Sequence, residues 1–255
     1  MQESGTSWLV FGRRRDQPVV LKVLRAPGDE WLAGNVIAAF RGRGMVRVLD
    51  CAEGAMLLEE INPGVPLVDL TAAGRDDEAC VVFAQVLSSM APDPAPAQVP
   101  TAADWGRGFE RHAATVDTQI PPDLLSQAQE VYASLVATQK GPRLLHGDLH
   151  HENILLDAAR GWLAVDPKGV IGELEFELGA WLRNPLGYPD LFTQPSAIDR
   201  RLERLCARLP IDPSRTLGWA FAQGILSAIW TVEDEGAIRP DHAGLALAGT
   251  LRGRF

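Results

Sequence analysis

Cysteine is scarce in this chain. Cys51, Cys80 and Cys206 are far apart and odd in number. That excludes a disulfide framework and a cysteine-built zinc site, and it makes a reducing, cytoplasmic setting the expectation. Basic charge is also short: 24 Lys and Arg stand against 33 Asp and Glu, a formal net charge of −9. A nucleic-acid binder or an anionic-membrane binder would carry the opposite balance, whereas a cationic small molecule would be welcome. Long apolar runs are missing too. The longest, LGWAFAQGILSAIWTV (Leu217–Val232), is interrupted by Gln223 and Ser227. It falls short of the ~20 residues a bilayer span requires, so it is expected as a buried helix. QESGTSW after Met1 lacks the basic and apolar segments of a signal peptide. What is present is ordinary for a globular protein: 46% hydrophobic and 22% charged residues over 255 positions, enough for one large domain or two lobes.

The first sixty residues favour strands. WLVF (Trp8–Phe11) and PVVLKVL (Pro18–Leu24) flank the charged turn RRRDQ and suggest a hairpin. PGDEWLAGNVIAAF follows with Asp29 as a cap, with Trp31, Val36, Ile37 and Phe40 at helical spacing, and with Gly42 and Gly44 as stops. VRVLDCAEGAMLLEEI predicts two strands around a Glu53-Gly54 turn, and NPGVP (Asn62–Pro66) breaks the pattern. Helices come next. DDEACVVFAQVLSSM is one; DLLSQAQEVYASLVATQ is another, with Leu124, Leu125, Ala128, Val131, Tyr132 and Leu135 on one face. The proline-rich Ala91–Pro100 joins them as an exposed connection. The expectation is an α+β chain, with a small β-rich lobe over 1–61 and a larger, mainly helical lobe over 62–255.

The second lobe holds LLHGDLHHENILLD (Leu144–Asp157), which contains three of the chain's five histidines. ILL (Ile154–Leu156) and WLAV (Trp162–Val165) bracket DAARG and predict a second hairpin. His146 to Asn153 then lies just before one strand and Asp166 just after the other. Asp148 and Asn153 are spaced as D-x-x-x-x-N, the spacing of the protein-kinase catalytic loop, and Asp166-Pro167-Lys168 stands where that loop is followed by D-F-G. Phosphoryl transfer from ATP needs such a set: one carboxylate for the attacking hydroxyl, with an amide oxygen and a second carboxylate for magnesium. Lys22, in VVLKVL, stands where a phosphate-binding strand lysine belongs. Glu30 is its candidate partner, and Glu59-Glu60-Ile61 falls where a hinge would offer backbone groups to adenine.

HGDLHHENILL followed by GWLAVDPKGVIGELEFELG resembles the aminoglycoside phosphotransferase superfamily, and within it the streptomycin 6-kinase and hydroxyurea-resistance kinase group. The likeness spans nearly the whole chain, through the Lys22 strand, GRGMVRVLD, MLLEEI and AFAQGILSAIW. It implies a two-lobed protein-kinase-like fold holding ATP and Mg²⁺. It further implies Asp148 as catalytic base and Asn153 and Asp166 as metal ligands. The chain departs from the pattern in lacking G-x-G-x-x-G. Only SGTS (Ser4–Ser7), ending at Ser7, is left to cover phosphates, and the leading segment is shorter than the family's.

Other readings stand beside these. His146, His150 and His151 could suggest zinc, but adjacent loop histidines rarely both reach one ion and no third ligand is suitably spaced. His146 is expected to brace the loop. Lys168 is expected to pair with a nearby carboxylate, and the sequence gives no support for a direct phosphate role. Glu173 and Glu177 in GELEFELG, Asp234 in the Glu233-Asp234-Glu235 run, and Trp230 are candidates to meet a cationic acceptor; a solvated surface and a core tryptophan are the bland alternatives. The resulting expectation is a monomeric or weakly dimeric kinase that phosphorylates a hydroxyl of an aminoglycoside, streptomycin foremost. Its rivals are a same-fold kinase for hydroxyurea or another metabolite, and a degenerate nucleotide-binding pseudokinase.

Overall fold

The hairpin expected around RRRDQ forms, and it is longer than its apolar runs. In a computed structural model, which describes residues 2–3, 6–28 and 30–255, strand β1 (Gln2–Glu3) precedes β2 (Ser7–Arg14) and β3 (Gln17–Leu24). The turn shrinks to Arg15 and Asp16, with Arg15 at φ 57°, so most of the charged stretch is drawn into the strands. Helix α1 (Ala33–Phe40) follows. Asp29 lies outside the described residues, and Leu32 at the N-cap makes no side-chain cap. The helix ends as expected, through left-handed Arg41, Gly42 and Gly44. Strands β4 (Val48–Ala52) and β5 (Ala55–Glu59) turn at Gly54, giving an antiparallel sheet in the order β1-β2-β3-β5-β4.

NPGVP is more than a breaker. After the cis Asn62–Pro63 bond it forms β6 (Pro63–Pro66), which pairs with a later strand. Helices α2 (Val68–Ala72), α3 (Asp76–Ser89), α4 (Ala102–Ala113) and α5 (Pro122–Ala137) come next, then β7 (Arg143–Leu145). The second hairpin is β8 (Ile154–Asp157) with β9 (Gly161–Ala164), registered Ile154 opposite Ala164, and the three-stranded order is β6-β8-β9. Then follow β10 (Val170–Gly172), paired with β7, and helices α6 (Leu174–Leu182), α7 (Asp190–Thr193), α8 (Pro195–Cys206), α9 (Pro213–Glu235) and α10 (Ala243–Leu251).

By packing, the chain groups into two units, Met1–Val99 with His146–Gly169, and Pro100–Leu145 with Val170–Phe255. The first carries both larger sheets and a core that includes Ile37, Phe40, Met45, Met56 and Phe83. The second is built on α9, which contains the expected buried run Leu217–Val232 and is flanked by α5, α6 and α10. Its core is aromatic: Tyr132, Phe176 and Trp219 meet edge-to-face at centroid distances of 5.1 and 4.9 Å from Trp219, the geometry ring quadrupoles favour. Of the face predicted for α5, Ala128, Tyr132 and Leu135 are buried, while Leu124, Leu125 and Val131 are half-buried. Among the described residues no helix is long and apolar enough to cross a membrane.

Candidate active site

The β8–β9 hairpin brings two polar stretches to one of its ends. His146–Asn153 leads into Ile154, and Val165–Gly169 leaves Ala164, its opposite number. The Val165 N–H donates to the Asn153 carbonyl at 2.9 Å, closing the end of the ladder. His146, fully buried, ties the two stretches together. Its Nε2 lies 2.7 Å from the Val165 carbonyl, its Nδ1 accepts from the Asp148 N–H at 3.2 Å, and its own carbonyl accepts from the Gly169 N–H at 2.9 Å. A nitrogen facing a carbonyl must carry the proton, and one facing an N–H must not, so this is the neutral Nε2–H tautomer. Burial pushes the imidazole down to about 4, which agrees.

Lys22 projects from β3 on the buried face it shares with Leu24 and is 3% exposed. Its Nζ lies 2.8 Å from Glu30 Oε2 and 2.9 Å from Asp166 Oδ1. Burial alone would depress the ammonium; Asp166 and then Glu30 outweigh it and hold Lys22 above its ordinary value. Asp166 itself sits at φ 56°, in the left-handed region that few non-glycine residues enter and that Asp tolerates better than most.

Asp148 and Asn153 meet through the backbone. Asn153 Nδ2 donates to the Asp148 carbonyl at 2.9 Å, so its Oδ1 is the atom left to accept or to coordinate. His150 packs against both: its Nδ1 is 2.7 Å from Glu152 Oε2, and its Nε2 is 3.2 Å from Asn153 Nδ2 and 4.0 Å from Asp148 Oδ2. Glu152 resists burial, which would raise it; the hydrogen bond from His150 outweighs that and holds the carboxyl below its usual range. Lys168 Nζ lies 3.6 Å from Asp148 Oδ2, which identifies the carboxylate partner the sequence left unnamed. Asn153 Oδ1 and the Asp166 carboxylate are hard oxygen donors on facing stretches, a set that fits magnesium better than zinc. Among the described residues, no three His, Cys, Asp or Glu side chains are grouped to hold a metal ion.

The remaining candidates lie elsewhere. Ser7 opens β2 and is buried; Ser4 and Gly5 fall outside the described residues. The Glu59 carboxylate accepts the Arg47 N–H at 2.8 Å and pairs with Arg160. The Glu59 and Glu60 N–H groups donate to Arg47 and Pro18 carbonyls, and Ile61 lies just beyond the sheet. Arg160 was not foreseen. From the β8–β9 turn it also binds the Gly42 and Met45 carbonyls, fastening the β8–β9 hairpin to β5, and nothing local in DAARG signals that role. Glu173, Glu177, Trp230 and Asp234 all belong to the second unit. Glu173 is wholly buried; Arg215 Nε at 3.0 Å and the Trp219 indole N–H bind Oε1, and the Lys140 N–H binds Oε2. That carboxylate has no surface to offer an acceptor. Glu177 is 1% exposed, Trp230 packs edge-on to Trp105 at 5.3 Å, and Asp234 is exposed at the end of α9.

A family model described as aminoglycoside/hydroxyurea antibiotic resistance kinase matches residues 2–235. The chain is 34% identical over 239 residues to streptomycin 3''-kinase of Klebsiella pneumoniae, covering 90% of this chain and 85% of that protein. It is 32% identical over 236 residues to streptomycin 6-kinase of Streptomyces griseus, covering 88% and 75%. The crystal structure of a thermostable mutant of aminoglycoside phosphotransferase APH(4)-Ia, in ternary complex with ADP and hygromycin B, superposes with a TM-score of 0.69. That match is at 15% identity over 99% of this chain and 92% of that one. The α+β, protein-kinase-like fold expected from the sequence is the fold found, with its small β-rich N-terminal region and larger helical part.

Proposed function

The chain belongs to the aminoglycoside/hydroxyurea antibiotic resistance kinase family, and on that premise we propose that it transfers the γ-phosphate of ATP to a hydroxyl of streptomycin. Phosphotransfer to an alcohol is the family's chemistry; the acceptor and the roles of individual residues are our reading. The supporting observation is the meeting of Lys22, from β3, with Asp166, from beyond β9, at 2.9 Å. These residues are 144 positions apart, and phosphoryl transfer is a chemistry that needs both in one place.

In this reading Asp148 takes the acceptor's hydroxyl proton and Lys22, held by Glu30, binds the nucleotide phosphates. Ile61 offers its backbone to the adenine. Asn153, through Oδ1, and Asp166, through the oxygen that Lys22 does not hold, would bind magnesium, which when present neutralises charge on the phosphates. His146 keeps Asp148 and Asp166 in register. Catalysis is then a matter of placement and of matching charge more than of covalent chemistry.

Two names among the similar proteins, a 3''-kinase and a 6-kinase, leave the phosphorylated hydroxyl open. The family description, which joins aminoglycoside with hydroxyurea, keeps a second acceptor class in play. A pseudokinase reading loses ground because every charged group of the set is present and paired. The test is mass spectrometry of streptomycin incubated with the protein, Mg²⁺ and ATP. A phosphorylated product is expected, and Asp148→Asn should abolish it while Mg-ATP binding stays within about twofold, since Asp148 serves the acceptor side. Near-normal turnover in that variant would refute the mechanism.

A further inference from the structure

Lys168 has no task in the mechanism so far. We propose that it is a catalytic residue, one that bridges Asp148 and the γ-phosphoryl group while that group passes to the acceptor; this rests on the kinase reading above.

The backbone carrying Lys168 is fixed from several directions. His146 holds both flanks, donating from Nε2 to the Val165 carbonyl at 2.7 Å and accepting the Gly169 N–H at 2.9 Å. Pro167 locks its own φ. Gly169 lies at φ +79°, and a Cβ there would fall 2.7 Å from Val36 Cγ2, so glycine is required. A lysine that merely decorates a surface needs none of this, because its long side chain finds a carboxylate without a fixed backbone. The pair is also reachable from solvent, with 29% of the Lys168 side chain and 20% of the Asp148 side chain exposed.

Chemistry then places the ammonium. A carboxylate that accepts the acceptor's proton lies about 2.6–3.2 Å from the hydroxyl oxygen. That oxygen begins its attack about 3–3.5 Å from phosphorus. A cation already in contact with the carboxylate, at 3.6 Å, is therefore within side-chain reach of the equatorial phosphoryl oxygens. As transfer proceeds, the acceptor oxygen forms its bond to phosphorus and its proton goes to Asp148. The bond from phosphorus to the β–γ bridging oxygen breaks, and its electron pair leaves on ADP. Charge on the three equatorial oxygens is what Lys168 meets. Lys22, buried between Glu30 and Asp166, is a different cation on the nucleotide side.

The test compares Lys168→Met and Lys168→Arg with the wild-type chain, each checked for folding by thermal unfolding, and Lys168→Gln replaces the methionine variant should that one unfold. Calorimetry gives the affinities for Mg-ADP and Mg-AMP-PNP, and steady-state kinetics gives kcat. The neutral variant should bind Mg-ADP within about twofold of wild type and lose roughly tenfold or more in Mg-AMP-PNP affinity. Its kcat should fall on the order of 100-fold, with arginine recovering part of both losses. An AMP-PNP to ADP affinity ratio equal to wild type would overturn the proposal, leaving Lys168 as a partner of Asp148 alone. Failure of the wild-type chain to bind Mg-AMP-PNP would bring down the kinase reading and this inference together, a result distinct from the first.

Discussion

A single imidazole carries the register of the candidate site. The ring of His146 meets two backbone groups, the Val165 carbonyl and the Asp148 N–H, and its own carbonyl accepts the Gly169 N–H, so its place in the site is to set the position of these residues. The bond that Nδ1 accepts from the Asp148 N–H requires the neutral ring, and that requirement has a measurable consequence. The ordinary value is 6.5 and the folded value is about 4. Between them the unfolded chain binds a proton that the folded chain does not, so stability falls as pH drops through this window and levels off below it. The loss should amount to roughly 3 kcal/mol. Urea unfolding at several pH values across the window measures it, with His146→Gln as the control that lacks the titrating ring. Equal slopes in the two proteins would show that some other group carries the effect.

At the level of elements, the junction of α6 and α9 rests on a buried charge. Glu173 sits at the N-cap position of α6 without a side-chain cap, and Arg215 and Trp219 reach its carboxylate from α9. Removing the carboxylate leaves Arg215 without its charged partner, keeping only its bonds to Thr138 and the Leu135 carbonyl, and breaking a buried pair in this way costs about 3 kcal/mol or somewhat more. Arg215 keeps 15% exposure and can turn to water, which favours the low end. Glu173→Ala should therefore lower the melting temperature while leaving the KM for the acceptor unchanged; a raised KM with unaltered stability would return Glu173 to the acceptor surface. The sequence misled here for a physical reason. Glu173, Glu175 and Glu177 alternate in a strand-like pattern, but Leu174 begins a helix, and each carboxylate meets a different environment. Arg215 is 42 residues away, and such a partner leaves no local mark. Arg160 and Glu59, 101 residues apart, escaped notice in the same way. The candidate stretch could be picked out from the sequence because its logic is local. Asp148 and Asn153 share one loop, a single hairpin separates them from Asp166, and alternating burial and turn residues mark that hairpin. Lys22 was legible by its place in a strand and Glu30 as its candidate partner, whereas the contact of Lys22 with Asp166 needed the fold.

Over the whole molecule the decisive quantity is charge. A formal net charge of −9 does nothing to select ATP, itself an anion; in the streptomycin reading proposed above, its value lies on the acceptor side. A long-range attraction between an acidic protein and a cationic acceptor acts on encounter, so it should show in kcat/KM for the acceptor and weaken as salt screens it. The Debye length shortens from about 10 Å at 0.1 M to about 3 Å at 1 M. Raising KCl across that range should lower kcat/KM for streptomycin on the order of several-fold. The KM for Mg-ATP should stay level or fall, since screening relieves its repulsion. Hydroxyurea, which is uncharged, supplies the comparison. If it were the true acceptor, its kcat/KM would be high and flat with salt, and that of streptomycin would be negligible throughout. A streptomycin kinase with a flat salt profile would be a third outcome, and it would confine acceptor recognition to short contacts inside the site and remove the net charge from the account.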